Sequence, residues 1–252
     1  EALDGAELLL QAGVLENPRP DLFLAAHVLS DLPAGTVDVL PGPVMAASDT
    51  WTCTVHGTGG HGARPHETAD PIVAAAHIIT ALQTVVSRNV EPLEAAVVTV
   101  GSIHGGQAHN IIPAQVDLLG TIRTFSSEVR EVVQRRLREV VTGVAEGLGA
   151  RAELEFPGGT PAVVNDASLA EVVRGAAVSV VGEQNVTASY RTTGSEDAAF
   201  YLQQVPGCYF FLGAGDVARG ISAPHHNPHF DIDEDVLPIG VAVFATALAE
   251  LV

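Results

Sequence analysis

Residues 59–66 read Gly-Gly-His-Gly-Ala-Arg-Pro-His, and Asp70-Pro71 follows shortly afterwards. The stretch comes directly after an apolar segment, residues 51–55, and precedes a long helical pattern. Glycines on both sides of His61 permit a sharp turn that presents the imidazole outward. Asp70 is a suitable cap for the next helix, and Pro71 fits its first position. The stretch predicts strand, turn and helix, with His61 either presented for chemistry or serving as an ordinary turn residue.

The periodicity around this turn predicts a βαββαβ unit, the split βαβ or ferredoxin-like arrangement. Its predicted elements are strand 51–56, helix 71–87, strands 95–103 and 111–125, helix 127–148 and strand 151–156. Helix 127–148 carries one apolar stripe, so it should cover only one face of the sheet. Pro157-Gly158-Gly159 is expected to close the unit.

Helices and strands alternate again on both sides of this unit. The flanking predictions are helix 2–12, strands 23–28 and 37–40, helices 167–181 and 195–204, strand 207–213 and helix 236–251. The run 23–28 is continuously apolar, which is typical of a strand buried on both faces. We therefore expect an α/β fold in which one domain, residues 1–49 and 159–252, is interrupted by an inserted domain, residues 50–158.

Composition excludes several functional classes for these 252 residues. The formal charge of −18, from 12 basic and 30 acidic residues, disfavours nucleic acids and anionic membrane surfaces as partners. Every basic residue is Arg, which excludes lysine Schiff-base and P-loop chemistry. No apolar run reaches the length of a membrane span, and Cys53 and Cys208 are expected to be buried thiols in a reducing, cytoplasmic compartment. The chain opens at Glu1 without Met or a leader, so we expect it to be the interior of a longer protein.

Histidines provide the candidate metal ligands. His27 ends the apolar run 23–28, where a satisfied core histidine and a metal ligand or acid–base group are both possible. His225, His226 and His229 form the densest imidazole cluster, which is either a solvated loop or a metal site.

Two further groups of polar residues are candidates for substrate contacts. Ser195 and Asp197 lie at the N-terminus of the predicted helix 195–204, where capping alone would explain them. Asn110 and Arg123 belong to one predicted strand, where an amide and a guanidinium could grip a carboxylate, although a surface position is common for Arg.

Taken together, these motifs resemble the dimetal amidohydrolases of the aminoacylase, hippurate hydrolase and indole-acetyl-amino-acid hydrolase type, within the aminoacylase–carboxypeptidase metallopeptidases. The resemblance covers essentially the whole chain. Its blocks are residues 42–49, 60–66 with 70–72, 110–113 with 120–123, 194–197 with 200–202, 206–213, and 226–228 with 230–231. It implies a zinc-peptidase-like catalytic domain that is interrupted by a ferredoxin-like lid and dimerisation domain.

The resemblance also implies roles for individual residues. Glu1, His27 and His226 match metal ligands, and His61 matches the lid histidine that reaches the active site of a partner subunit. Asn110, Arg123 and Ser195 match positions expected to bind substrate.

Amide hydrolysis with two divalent ions is the activity that the resemblance implies. Zinc is expected, or manganese, cobalt or nickel, with an N-acyl amino acid as substrate and a homodimer as the assembly. The upstream His-Cys-Asp motif and the general-base Glu before Glu1 are absent from this sequence, so the chain alone is expected not to turn over. The alternative is a non-catalytic dimerisation or small-molecule-binding module.

Overall fold

A computed structural model describes residues 5–251 of the chain. The described part holds six α-helices and twelve β-strands. The helices are α1 (Gly5–Gln11), α2 (Pro71–Asn89), α3 (Ser127–Gly147), α4 (Ala167–Val181), α5 (Ala198–Leu202) and α6 (Leu237–Leu251). The strands are β1 (Phe23–Pro33), β2 (Val37–Asp38), β3 (Gly42–Met45), β4 (Ala47–His56), β5 (Gly60–His61), β6 (Ala96–Gly105), β7 (Ile111–Ile112), β8 (Gln115–Thr124), β9 (Arg151–Thr160), β10 (Val163–Asn165), β11 (Val186–Thr187) and β12 (Gly207–Gly215). The predicted α/β class is confirmed.

Unit 1 comprises the described residues up to Met45 and from Val163 onward. Its main sheet has the order β1-β12-β2-β11, in which β1 and β12 are parallel and β12 and β2 are antiparallel. A buried cluster with residues from β2, β12, α4 and α6 forms the core, and Val173, Phe210 and Val243 are completely or almost completely buried in it.

A short antiparallel pair, β3 with β10, marks the place where the chain leaves unit 1 and returns, because Met45 lies opposite Val163. Asn165, which is 3% exposed, fixes this pair to β12. Its Nδ2 donates to the carbonyls of Leu40 and Tyr209, both at 2.8 Å, and its Oδ1 accepts the N–H of Tyr209 at 2.6 Å. All three bonds of this buried amide join segments that are distant in the sequence.

Unit 2 comprises residues 46–162. Its sheet has the order β6-β8-β4-β9 with every neighbouring pair antiparallel, so the predicted βαββαβ arrangement is observed. The helices α2 and α3 pack together and share a buried cluster with the sheet, in which Trp51, Leu82 and Leu137 are fully buried. The function of this unit as a lid stays a prediction.

Local capping explains where the two long helices of unit 2 begin. Asp70 Oδ1 accepts the N–H groups of Ile72 at 2.9 Å and Val73 at 3.3 Å, at the start of α2. Ser126 Oγ accepts the N–H of Val129 at 3.1 Å, at the start of α3. Both caps satisfy N–H groups that have no partner within the helix, so the predicted cap at Asp70 is confirmed.

Three predicted strands differ from the structure. β1 extends to Pro33 and is only partly buried, because it lies at the edge of the described sheet. The predicted strand 111–125 is split into β7 and β8 around Pro113, which lacks a backbone donor. β9 continues through residues 157–159 to Thr160, and a proline is tolerated there because β9 is an edge strand.

The helix α2 is long and apolar enough to cross a membrane by length and composition alone. Core helices of folded domains pass the same test, and α2 has a buried face that includes Ala74, Ile78 and Leu82. This helix is therefore accounted for as part of the core of unit 2.

Cys53 and Cys208 are free, buried thiols, as expected from the sequence. Burial, with a smaller contribution from a nearby carboxylate in each case, raises the pKa of both thiols to about 12. Neither thiol is therefore suited to act as a nucleophile or metal ligand at neutral pH.

One buried ion pair joins α3 to the sheet of unit 2. The guanidinium of Arg130 donates to both oxygens of Asp49, at 2.5 and 2.8 Å, and the Asp49 side chain is 3% exposed. Fork-to-fork pairing of this kind is strong and specific in geometry.

We expect Arg130→Leu to destabilise the protein by about 3 kcal/mol, because it leaves the Asp49 carboxylate buried without its cation. Arg135→Leu is the matched control on the same helix, since Arg135 pairs with Glu139 at the surface and is 60% exposed. The control should cost about 0.5 kcal/mol or less. Urea unfolding of the chain measures both, and equal losses would contradict the assignment.

Candidate metal centre and lid residues

His27 lies within β1, opposite Phe211 of β12, and is half-buried. The strand continues beyond it, so His27 is not at a strand end as the sequence predicted. Its Nδ1 is 2.7 Å from the carbonyl oxygen of Val28. Because a carbonyl can only accept, the proton of this pair resides on Nδ1. The Nε2 lone pair is then available, as in histidines whose orientation is set for a metal.

The cluster of histidines lies on the loop that follows β12. Two turn bonds shape this loop: Asn227 N–H donates to the Pro224 carbonyl at 3.1 Å, and Phe230 N–H donates to the Asn227 carbonyl at 2.9 Å. His226 has a φ of 65°, in the left-handed region that residues other than glycine seldom adopt. The loop therefore has a defined turn around His226, whose side chain is exposed.

The imidazole that contacts His27 belongs to His225. The two ring centroids are 4.9 Å apart in an edge-on arrangement, and the centroid of the Phe230 ring is 4.5 Å from that of His225. Burial, followed by the proximity of His27, lowers the pKa of His225. Sequence reasoning included His225 in the cluster but did not select it, because this packing depends on how the loop folds back onto β1.

The described residues fit part of a metal site. The Nε2 atom of His225 is buried and has no hydrogen-bond partner within residues 5–251, and His27 has Nε2 available beside it. Neutral imidazoles are good ligands for zinc and related divalent ions. Among these described residues, no group of three His, Cys, Asp or Glu side chains is arranged to hold a metal ion. Glu1, the third predicted ligand, lies outside them.

The segment 194–197 has a different role from the predicted helix cap. Helix α5 begins only at Ala198, and Asp197 makes no side-chain cap bond to it. Instead, Asp197 Oδ2 accepts the N–H of Ala6 at 2.9 Å and so holds the start of α1. Its neighbour Glu196 accepts the hydroxyl of the buried Tyr209 at 3.0 Å, and Ser195 is half-buried beside them. The capping interpretation was therefore wrong for Asp197 at α5.

In unit 2, His61 and Asn110 lie on a small two-stranded ribbon. His61 in β5 pairs with Ile111 in β7, and Gly62 N–H donates to the Asn110 carbonyl at 2.8 Å. A side chain at Gly62 would meet that carbonyl at 3.0 Å, so glycine permits the close approach. Ala63 N–H donates to His61 Nδ1 at 3.0 Å, which leaves the exposed imidazole with its proton on Nε2.

A cleft of about 550 Å³ is lined by residues of the segment 104–117, which contains this ribbon strand. Its lining residues include His104, Gln107, Ile111 and Pro113. The cleft therefore adjoins the ribbon through Ile111, the residue that pairs with His61, and it has both polar and apolar walls.

Arg123 lies elsewhere in unit 2. It is in β8 opposite Ser48, eight residues after the first residue of the strand, which corresponds to about 27 Å of extended chain. Burial lowers the pKa of its guanidinium, and the charge of Asp49 opposes this shift. The structure places Arg123 at the far end of β8 from the turn that carries Asn110, so it does not bring these two predicted substrate residues together.

Comparison with known proteins shows the family to which the chain is similar. Residues 1–250 match the sequence profile of peptidase family M20/M25/M40. The chain is 38% identical to the N-acetylcysteine deacetylase of Bacillus subtilis strain 168, over 97% of the chain and 62% of that protein. It is 36% identical to the IAA-amino acid hydrolase ILR1-like 4 of Arabidopsis thaliana, over 96% of the chain and 56% of that protein.

A solved structure is similar over the whole chain. The YXEP protein of Bacillus subtilis, described as a dinuclear metal-binding peptidase from the M20 family, superposes with a TM-score of 0.83 at 30% identity. The superposition covers 99% of this chain and 62% of that one. The chain thus spans about three fifths of the length of these relatives.

We expect Asp197→Ala to loosen α1, because the Ala6 N–H loses its acceptor. The free energy of unfolding should fall by about 1 kcal/mol, and the amides in the first turn of α1 should exchange faster with deuterium. Asp197→Asn keeps an acceptor oxygen in the same place and is the matched control. Hydrogen exchange measured by NMR checks both variants, and unchanged exchange at Ala6 in Asp197→Ala would contradict the assignment.

Proposed function

Because this chain belongs to peptidase family M20/M25/M40, we propose that the complete protein is a metal-dependent amidohydrolase that cleaves the amide bond of N-acyl amino acids. The observation that carries the proposal is the arrangement of His27, with Nε2 available, against the loop of His225 and His226. Relatives named as a deacetylase of N-acetylcysteine and a hydrolase of IAA-amino acids support this substrate class.

His27 and His226, together with Glu1, are proposed as the metal ligands that this chain contributes. Two divalent ions are proposed, in keeping with the dinuclear relative, and zinc, manganese, cobalt or nickel would suit imidazole and carboxylate donors. The chemistry that the bound ions supply is polarisation of the scissile carbonyl and activation of water. His27 is held in the required tautomer by the carbonyl of Val28.

His61 is proposed to donate from Nε2 to the oxygen that becomes negatively charged during amide hydrolysis. Its Nδ1 already accepts from the backbone, so the exposed nitrogen is a donor in the neutral ring. Such a donor stabilises the transition state more than the ground state. Asn110, on the adjacent turn, is proposed to bind a polar end of the substrate, and Arg123 and Ser195 remain further candidates for this task.

Unit 2 is proposed to act as lid and dimerisation domain of a cytoplasmic homodimer, with His61 serving the partner's active site. Its sheet has two edge strands, β6 and β9, and an edge strand can pair with a second copy. The general-base Glu and the His-Cys-Asp motif expected in such enzymes are not in this sequence. We therefore propose that the chain as printed does not turn over substrate.

Removal of either proposed histidine ligand should weaken the affinity of the chain for zinc. We expect His27→Ala and His226→Ala each to weaken the affinity at least tenfold, because a site with so few ligands loses one outright. His229→Ala is the matched control from the same loop. Competition with a chromophoric chelator measures the affinities, and zinc binding that is indifferent to all three substitutions would favour the non-catalytic alternative.

His61→Ala in the complete protein should lower kcat by roughly a hundredfold to a thousandfold, the scale for losing one transition-state donor. Metal content should stay unchanged, since the residue lies in the ribbon of unit 2. Mixing this variant with His226→Ala should restore part of the activity if His61 serves the partner subunit. No recovery after verified subunit exchange would show that it acts within its own chain or not at all.

A further inference from the structure

Ser30 makes a contact that no part of the proposed chemistry uses. The residue is 4% exposed, and its hydroxyl donates to the carbonyl of Ala223 at 2.8 Å. Ser30 belongs to β1, three residues after His27, whereas Ala223 lies two residues before His225. This hydrogen bond therefore links the strand of one imidazole with the loop of the other, beside the contact of the His225 ring with the Val28 backbone.

The backbone around Ser30 leaves it little freedom to move. A side chain at Gly215, the last residue of β12, would come within 2.1 Å of the Ser30 carbonyl oxygen, so the two strands approach closely there. The hydroxyl is consequently presented from a fixed position.

The loop itself is anchored at its two ends by other contacts. At the start, Asp216 and Ile221 exchange backbone hydrogen bonds of 2.9 and 2.8 Å. At the end, the Asp233 N–H donates to the Ala214 carbonyl at 2.8 Å, and its carboxylate pairs with Arg219 at 2.8 Å. The Ser30 bond holds the part between these anchors, where the histidines lie.

That part of the loop contains a strained residue. His226 occupies the left-handed region at a φ of 65°, and such a conformation persists only when its surroundings hold it. The ring of His225 must also stay 4.9 Å from the ring of His27. A tether at Ala223 restricts both features at once.

We infer that Ser30 is a positioning residue, whose hydroxyl holds the loop of His225 and His226 against β1 and thereby sets the spacing between this loop and the proposed metal ligand His27. The expected effect of Ser30 on metal binding rests on the proposed function. In metal-free protein, the spacing of the two rings tests it directly.

The test compares Ser30→Ala with Ser30→Thr, which keeps a hydroxyl. Thr36→Ala is the matched control, because Thr36 also donates a hydroxyl bond to a carbonyl, that of Pro33 at 2.7 Å, but this bond stays within its own turn. Ser30→Cys, with its weak donor, serves as a second test variant if Ser30→Ala does not fold.

Zinc affinity is the first measurement. Ser30→Ala should bind Zn²⁺ about tenfold more weakly, the scale for losing a group that orients a ligand. Ser30→Thr should restore the affinity and Thr36→Ala should leave it unchanged. In a His27→Ala background, Ser30→Ala should have little further effect, because the two act through one arrangement.

The nuclear Overhauser effect between the ring protons of His27 and His225, in metal-free protein, is the second measurement. It should be lost or strongly reduced in Ser30→Ala and retained in Ser30→Thr and Thr36→Ala. Unchanged ring contact and unchanged zinc affinity in Ser30→Ala would overturn the inference. Absence of zinc binding by the unsubstituted chain would instead count against the proposed function, while the ring contact still decides the role of Ser30.

Discussion

The parallel pairing of β1 with β12 is the contact on which the candidate site depends. It places His27 opposite Phe211, although unit 2 and much of unit 1 separate these residues in the sequence. Because the loop of His225 and His226 follows β12, this pairing places the loop next to β1, the strand of His27. The core beneath, with Phe210 and the helices α4 and α6, stabilises the pairing by burying apolar surface. Any change that shifts the register of these strands would move one imidazole relative to the other.

Two histidines of this chain hold opposite tautomers, and each is set by a backbone group. His27 donates a hydrogen bond from Nδ1–H to a carbonyl and so has a lone pair at Nε2, whereas His61 accepts an N–H at Nδ1 and so has a proton at Nε2. The first state suits a metal ligand and the second suits a hydrogen-bond donor to developing negative charge. The local backbone thus decides which nitrogen of each ring carries the proton.

Local signals in the sequence were sufficient to predict the long helices and strands. The cap at Asp70 predicted the start of α2 and the apolar stripe predicted α3, since both features depend on neighbouring residues. The two-residue strand β11 and the short strand β10 were missed, because such strands exist only through distant partners. The contact between His225 and His27 was missed for the same reason. Glu1 lies outside the described residues, so its role stays a prediction.

The β3–β10 pair has a consequence for the ancestry of the chain. Since Met45 faces Val163, unit 2 enters and leaves through two adjacent residues, as the loop of a hairpin does. An insertion with neighbouring ends strains its host little, whatever its length, because the entropy of closing a loop grows only slowly with loop size. The host fold could therefore have existed first with a simple turn at this point. In such a history, inserted βαββαβ domains of different shape could replace one another at this insertion point while the strand pairing of unit 1 stayed the same.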